Sequence, residues 1–311
     1  MKALIDFDDA PIFAIPTIEG SGLREGMLIE GPQGWGEFSP SLDCDARAVG
    51  RWLTAAIEGG TVGWPDPMRG RIPIAVGVPA VGSAAARGIV VDSGCRTADV
   101  TVAAHPDSLA DDVARVGAVR EALGPDGRIR LSANGMWSAD QAIAAIRELV
   151  RAAGELEYVG QPCHTVDELR AVRRNVDVPV AAEVSWAGEA DVAILRSGPL
   201  GGVRRALRLA EKCGVPCVVS SAMETSIGLA SGLALAGALE ELPFACALGT
   251  VPMLAGDLVA KQRSLVPVDG YLPVAPMPAA PEPEFLRRYA LSEPDGVAWW
   301  RERLRSARTA A

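Results

Sequence analysis

The chain has little histidine and no close cysteine motif. His105 and His164 are its only histidines, and neither has a cysteine or carboxylate at zinc-ligand spacing, which argues against a structural zinc site. The six cysteines (Cys44, Cys95, Cys163, Cys213, Cys217 and Cys246) contain no C-x-x-C pair and lie in apolar or strand-like contexts. They read as reduced core thiols. No run of lysine and arginine interleaves with aromatics, and the net charge is −9 with a pI near 4.9, so nucleic acid is not an expected partner. No apolar stretch reaches the roughly 20 residues that a membrane span needs. The opening MKALIDFDDAPIFAIP carries acids where a secretory leader has bases and an apolar run, so the expectation is a cytoplasmic protein without membrane contact. Nothing in the sequence fixes an oligomeric state.

What is present is an ordinary globular balance, 49% apolar and 22% charged over 311 residues, long enough for a large core. From residue 71 a rhythm sets in of a short apolar run, a polar turn and an Ala/Leu/Arg-rich helical stretch. Strands are expected at 72–81, 95–103, 128–135, 156–162, 178–184, 191–198, 216–224 and 245–250. Amphipathic helices such as 108–124 and 138–154 lie between most of them. The first opens like a capping box at Ser108, and Ser138 is a plausible N-cap for the second. Repeated βα units argue for a closed parallel barrel. Residues 1–70 read as a small α+β capping domain, with strands near 3–16 and 25–31, a turn at GPQGWGEFSP and a helix from about 44 to 59. The barrel is expected over 71–255, and the Pro-rich stretch and closing helix through Trp299 and Trp300 over 256–311.

One unit is irregular. Between Glu183 and the strand near Asp191 there is no room for a helix, although a parallel crossover normally takes a dozen residues or more. Five or six extended residues reach only about 17–20 Å. Either the chain crosses without a helix or the barrel count fails here.

The stretch GCRTADVTVAAHP (94–106) poses the functional question. Asp99 and Thr101 are two apart on a strand and share one face, while Val100 and Val102 share the other. In a parallel barrel the polar face points into the interior, towards the mouth.

The α+β domain followed by a barrel resembles the enolase superfamily. REGMLIEGPQGWGEFSP, SANGMW, EYVGQPC, PLGGVRRALRLAEKCGVPCVVSSAMETSIGLASGLALA and ALGT are similar to the o-succinylbenzoate synthases of menaquinone biosynthesis, over nearly the whole chain. The resemblance implies a (β/α)7β TIM-type barrel with an N-terminal cap, and dehydration of a cyclohexadiene carboxylate through a Mg²⁺-stabilised enediolate. The residues that such chemistry needs are replaced. Where the family carries Lys-x-Lys this chain has Asp99-Val100-Thr101. The metal-binding carboxylates correspond to Ser132, Gly160 and Glu183, and a catalytic lysine to Arg196. Mg²⁺ wants oxygen ligands anchored by carboxylates, and a guanidinium cannot act as a base near neutral pH. The expectation is that the family's reaction is gone and that neither a metal nor another cofactor is held.

Each candidate residue then has two accounts. Asp99 suits a general acid or base, or is a polar remnant bonded to Thr101 or water. Glu183 is either a second acid/base carboxylate or an ion-pair partner of Arg196, and Arg196 suits a clamp on a carboxylate or enolate oxygen. Gly201 and Gly202 open a helix whose N–H groups suit an anionic oxygen. Ser132 and Asn134 lie at strand ends as candidate ligand contacts, with Thr101; Ser220 and Ser221 end the seventh strand, one placed to bond a ligand and the other to face a helix. Trp137 also lies near a strand end. Trp186 either stacks on a flat ligand or plugs the gap left by the absent helix. His164 is a proton shuttle or a solvent-facing loop residue. Glu224 reads as a retained support rather than a catalyst, and the family's capping loop corresponds to 16–26, which looks short.

Three functions are compatible with this reading. The first is a metal-independent lyase, cyclase or isomerase acting on an unsaturated cyclic small molecule, with Asp99 and Glu183 as acid/base and Arg196 stabilising an anion. The second is a natural or engineered barrel that binds a ligand without turnover. The third is a surviving o-succinylbenzoate synthase with a rebuilt metal site. A closed polar mouth with Asp99 tied up by Arg196 would favour the second, and an open apolar pocket with Asp99 unpaired the first.

Overall fold

The protein is described by a computed structural model covering residues 5–18 and 22–310. Three antiparallel strands, β1 (Ile12–Pro16), β2 (Leu23–Gly31) and β3 (Gly34–Phe38), form an N-terminal sheet in that order. The expected turn GPQGWGEFSP is therefore mostly strand: only Pro32 and Gln33 turn, and Gly31 pairs with Gly34. Gly31 and Gly36 serve contact with the helix α1 (Ala46–Thr61), while Gly34, at φ 142°, closes the turn. A Cβ on Gly36 would lie 1.9 Å from the Ala56 carbonyl oxygen, so only glycine allows the helix to lie directly on the sheet. Asp45 caps α1, its carboxylate accepting from Ala48 N at 2.6 Å. The core beneath holds Met27, Ile29, Phe38, Trp52 and Leu53, and it is completed by Trp300 and Leu304 from the far end of the chain.

The barrel follows as β4 (Arg71–Val78), α2 (Ser83–Ser93), β5 (Thr97–Thr101), α3 (Leu109–Leu123), β6 (Arg128–Ser132), α4 (Ala139–Ala153), β7 (Val159–Gly160), α5 (Val166–Asn175), β8 (Val180–Glu183), β9 (Val192–Leu195), α6 (Ser197–Leu200), α7 (Val203–Cys213), β10 (Cys217–Val219), α8 (Ser226–Ala238) and β11 (Cys246–Gly249). Neighbours from β4 to β10 pair in sequence order and in parallel, and β11 returns to β4. Between β10 and β11 a single bridge, Ser220 to Ala247, nearly closes the circle. A short β12 (Tyr271–Pro273) adds antiparallel to β4, and α9 (Pro283–Arg288) and α10 (Pro294–Ala310) end the chain. Val, Ile, Leu and Ala of these strands pack against the surrounding helices in the main core, and Tyr158, Ala181, Val192, Ile194 and Val218 form a separate cluster with Phe244.

The two serine caps exchange roles relative to expectation. Ser138 and Gln141 make the reciprocal capping box. Ser108 makes no cap bond to the backbone, because its hydroxyl donates to Asp112 Oδ2 at 2.8 Å. Asp112 is buried and also takes Ala103 N and Arg115 Nη1, so it draws in the serine hydroxyl as a further donor.

At the irregular unit the barrel is intact and the outer helix is indeed absent. Val184–Glu189 crosses from β8 to β9 as a 3-10 segment. It is fastened to α5 by Arg170–Glu189 at 2.8 Å, and Asp191 just beyond it by Arg173 at 2.8 Å.

Candidate functional site

The C-terminal ends of the barrel strands surround a cavity of about 460 Å³. Its polar wall is rich in hydroxyls, from Thr101, Ser132, Ser220, Ser221 and Thr250, with Asp99, Asn134 and Arg196 among them. Trp52 of the capping helix, Met223 and Met253 supply apolar surface. Trp52 reaches the site because Gly198 has no side chain; a Cβ there would lie 2.4 Å from the indole.

Asp99 points inward as the strand period requires, and its carboxylate is fully engaged. Ser132 Oγ donates to Oδ1 at 2.6 Å and Arg130 Nε to Oδ2 at 3.1 Å. Arg130 is wholly buried in the barrel and also donates from Nη1 to the Ala245 carbonyl at 2.7 Å. Its guanidinium lies 5.1 Å over the Tyr158 ring. Burial opposes its charge, but Tyr158, Asp99 and Glu157 outweigh that and hold its pKa above the ordinary value. Sequence reasoning missed Arg130, although the signal was available: in RIRLS it is two before Ser132 and opposite Asp99 in register.

The second charged pair is Glu183 with Arg196, in direct contact across adjacent strands. Arg196 Nε also donates to the Ser221 carbonyl at 3.0 Å. A guanidinium has five N–H donors and this one lines the cavity, so the pair leaves it able to meet a ligand oxygen. Ser221 is fixed more firmly: its hydroxyl donates to Glu224 Oε2 at 2.6 Å and accepts from Thr250 Oγ1 at 2.8 Å. Ser220 Oγ faces the Ser221 carbonyl at 3.3 Å. Glu224 is buried and accepts from Ser221 Oγ at 2.6 Å and from Ala222 N at 2.7 Å.

Other candidates lie elsewhere. Gly201 and Gly202 do open α7, but the N-terminus of that helix is filled from within the chain. Glu58 of the cap accepts from Val203 N at 2.5 Å and Arg204 N at 3.2 Å. Trp186 packs against the barrel core and Trp137 likewise, outside the cavity lining. His164 is exposed on the loop after β7. Of the 16–26 loop, residues 19–21 lie outside the described residues; Ile18 N donates to the Met253 carbonyl at 2.9 Å.

The donor set does not fit Mg²⁺. Ser132 is committed to Asp99, Gly160 offers no side chain, and Glu183 is held by Arg196. Among the described residues no group of three His, Cys, Asp or Glu is placed to hold a metal ion. Nor is any helix among them long and apolar enough to cross a membrane.

Comparison with known proteins agrees with the architecture. Residues 83–281 match the enolase C-terminal domain-like family and residues 19–60 the enolase N-terminal domain-like family. The chain is 50% identical to an o-succinylbenzoate synthase of Thermobifida fusca, over 96% of this chain and 95% of that one. It is 44% identical to that of Mycolicibacterium smegmatis, over 94% and 93%. Among solved structures it is similar in fold to a muconate lactonizing enzyme from Pseudomonas fluorescens complexed with muconolactone, with a TM-score of 0.78, 19% identity and coverage of 94% and 100%. A dipeptide epimerase from Enterococcus faecalis gives a TM-score of 0.72 at 20% identity, covering 90% and 99%. These relatives are enzymes that act on small molecules. A nearly closed barrel under an antiparallel cap, and identity that runs the length of both chains, lead to one conclusion: this chain belongs to the enolase superfamily, in the o-succinylbenzoate synthase family.

Proposed function

We propose that the barrel mouth binds a small, ring-bearing carboxylate and does not carry out the metal-dependent dehydration of its family. The observation behind this reading is the pairing of charges. Asp99 is neutralised by Arg130 and Glu183 by Arg196, so neither carboxylate stands ready as a base or a metal anchor. What faces the cavity is a set of hydroxyls, one amide, one guanidinium, an indole and the Asp99 carboxylate already paired with Arg130. Such a lining orients a flat ligand with one anionic group: the carboxylate on Arg196, the ring against Trp52, and polar substituents on the serines.

A second reading, metal-independent acid/base catalysis, draws on Asp99 itself. About 14% of its side chain remains exposed and it lines the cavity. Proton transfer from Asp99 would require its bonds to Arg130 and Ser132 to loosen in the complex.

The test is a host-cell extract incubated with the protein in EDTA and, separately, in Mg²⁺, followed by mass spectrometry of bound and free compounds. The expected result is a cyclic acid retained unchanged in both, with retention lost in Arg196→Met. Conversion in EDTA would replace the binding reading with the metal-free enzyme. Conversion only in Mg²⁺ would restore the family reaction.

A further inference from the structure

Beside the mouth lies a second cavity of about 410 Å³, on the outer side of the barrel between β4, α2 and the segment after β11. Its walls are apolar: Val76, Pro79, Ile89, Pro252, Val266 and Pro267. Asp92 and Ser93 are the polar side chains on it, and Ser93 Oγ is already bonded to the Val90 carbonyl and the Cys95 N–H. Ile18 and Val266 are 64% and 47% exposed at this groove, so apolar surface there is open to an apolar group.

The groove and the mouth share Gly77, Gly249 and Met253. Between them stands one side chain. Met253 lies over Gly77 so closely that a Cβ there would be 2.6 Å from its terminal methyl. Gly77 is in turn the register partner of Asp99. The Met253 backbone is fixed by Ile18 N to its carbonyl and by its own N–H to Thr250, while the unbranched thioether retains three rotatable bonds. The two cavities are therefore neighbours across Gly77 and Gly249, with Met253 as the one side chain common to both linings.

We propose that this groove is an annex of the ligand site and receives an apolar arm, so that the ligand is amphiphilic: a ring carboxylate in the mouth with an alkyl or prenyl-like substituent running past Met253. This deepens the reading above and rests on it.

The test uses benzoate and its 4-ethyl, 4-butyl and 4-hexyl derivatives, titrated by calorimetry against the full chain in EDTA. A methylene taken out of water into the groove improves affinity by about three- to fourfold, so Kd is expected to fall steadily along the series. Val266→Asp, and separately Ile18→Asp, place a charge on the groove at exposed positions and are expected to flatten that gain. Met253→Ala, which widens the passage, is expected to preserve or steepen it. Benzoate that binds without a chain-length gain, or a gain that both aspartate variants leave intact, overturns the annex alone. Failure of benzoate itself to bind overturns the carboxylate reading and the annex with it.

Discussion

Arg130 and Asp99 face each other on adjacent strands of the barrel interior, joined at 3.1 Å with the guanidinium wholly buried. Removing Asp99 leaves the buried Arg130 with only the more distant Glu157, at 3.7 Å, as a counter-charge; breaking a buried pair from one side costs up to about 3–5 kcal/mol, far more than the pair contributes on balance. Asp99→Asn is therefore expected to lower the thermal midpoint clearly, as read by calorimetry. Asp99→Asn with Arg130→Met, which removes both charges, should recover much of the loss.

Glu37 carries the pH dependence of the cap–barrel joint. It lies on β3 and accepts from Thr225 N, Thr225 Oγ1 and Gly228 N at the start of α8. Burial pushes its carboxyl from 4.5 up to about 7, against the opposing pull of Arg24 and its hydrogen bonds. A folded pKa above the unfolded one means that its stabilising contribution is complete below about pH 4.5 and is lost as pH rises through about 7. The difference in urea midpoint between the wild type and Glu37→Gln is expected to shift in favour of Glu37→Gln between pH 5 and pH 8. A difference that does not vary with pH would contradict this.

Glu58 ties the cap to the barrel by filling the start of α7. Glu58→Ala leaves those N–H groups without their carboxylate and is expected to cost about 1–2 kcal/mol. Hydrogen exchange should accelerate at Val203 and Arg204 more than in the middle of α7.

Added Mg²⁺ tests the donor set directly. A ligand that binds the folded state raises the thermal midpoint. With Ser132, Gly160 and a paired Glu183 at the three positions, millimolar Mg²⁺ is expected to leave the midpoint where it is in EDTA. A rise of several degrees would revive a metal site.

The barrel could be read from the sequence because its signal is local and repeated: apolar runs, turns and helical stretches recur in phase, the strands β5 to β11 fall inside the expected runs, and β4 begins one residue ahead of its run. That Asp99 and Thr101 share a face followed from a period of two, and that the face turns inward from the family resemblance. What could not be read was who meets whom across the chain. Glu58 at α7, Arg130 beneath Asp99 and Trp52 over Gly198 each depend on register or on how the cap seats, and residue spacing carries neither. The strand β3 was hidden for another reason: Gly34 closes a real two-residue turn, but Gly36, which is there for the approach of α1, imitates its continuation. Ser108 and Ser138 look alike in sequence, and only the buried Asp112 separates their roles.

The cap core has a consequence for how the chain is made. Met27, Phe38, Trp52 and Leu53 leave the ribosome some 250 residues ahead of Trp300 and Leu304, which close over them. The intervening barrel can assemble while the cap still waits for that wall. Contacts so distant in sequence are slow to form, and an apolar surface left open meanwhile invites misassembly. The nascent cap is thus the part of this protein that would most benefit from a chaperone, and shortening α10 should impair yield more than it impairs the finished barrel.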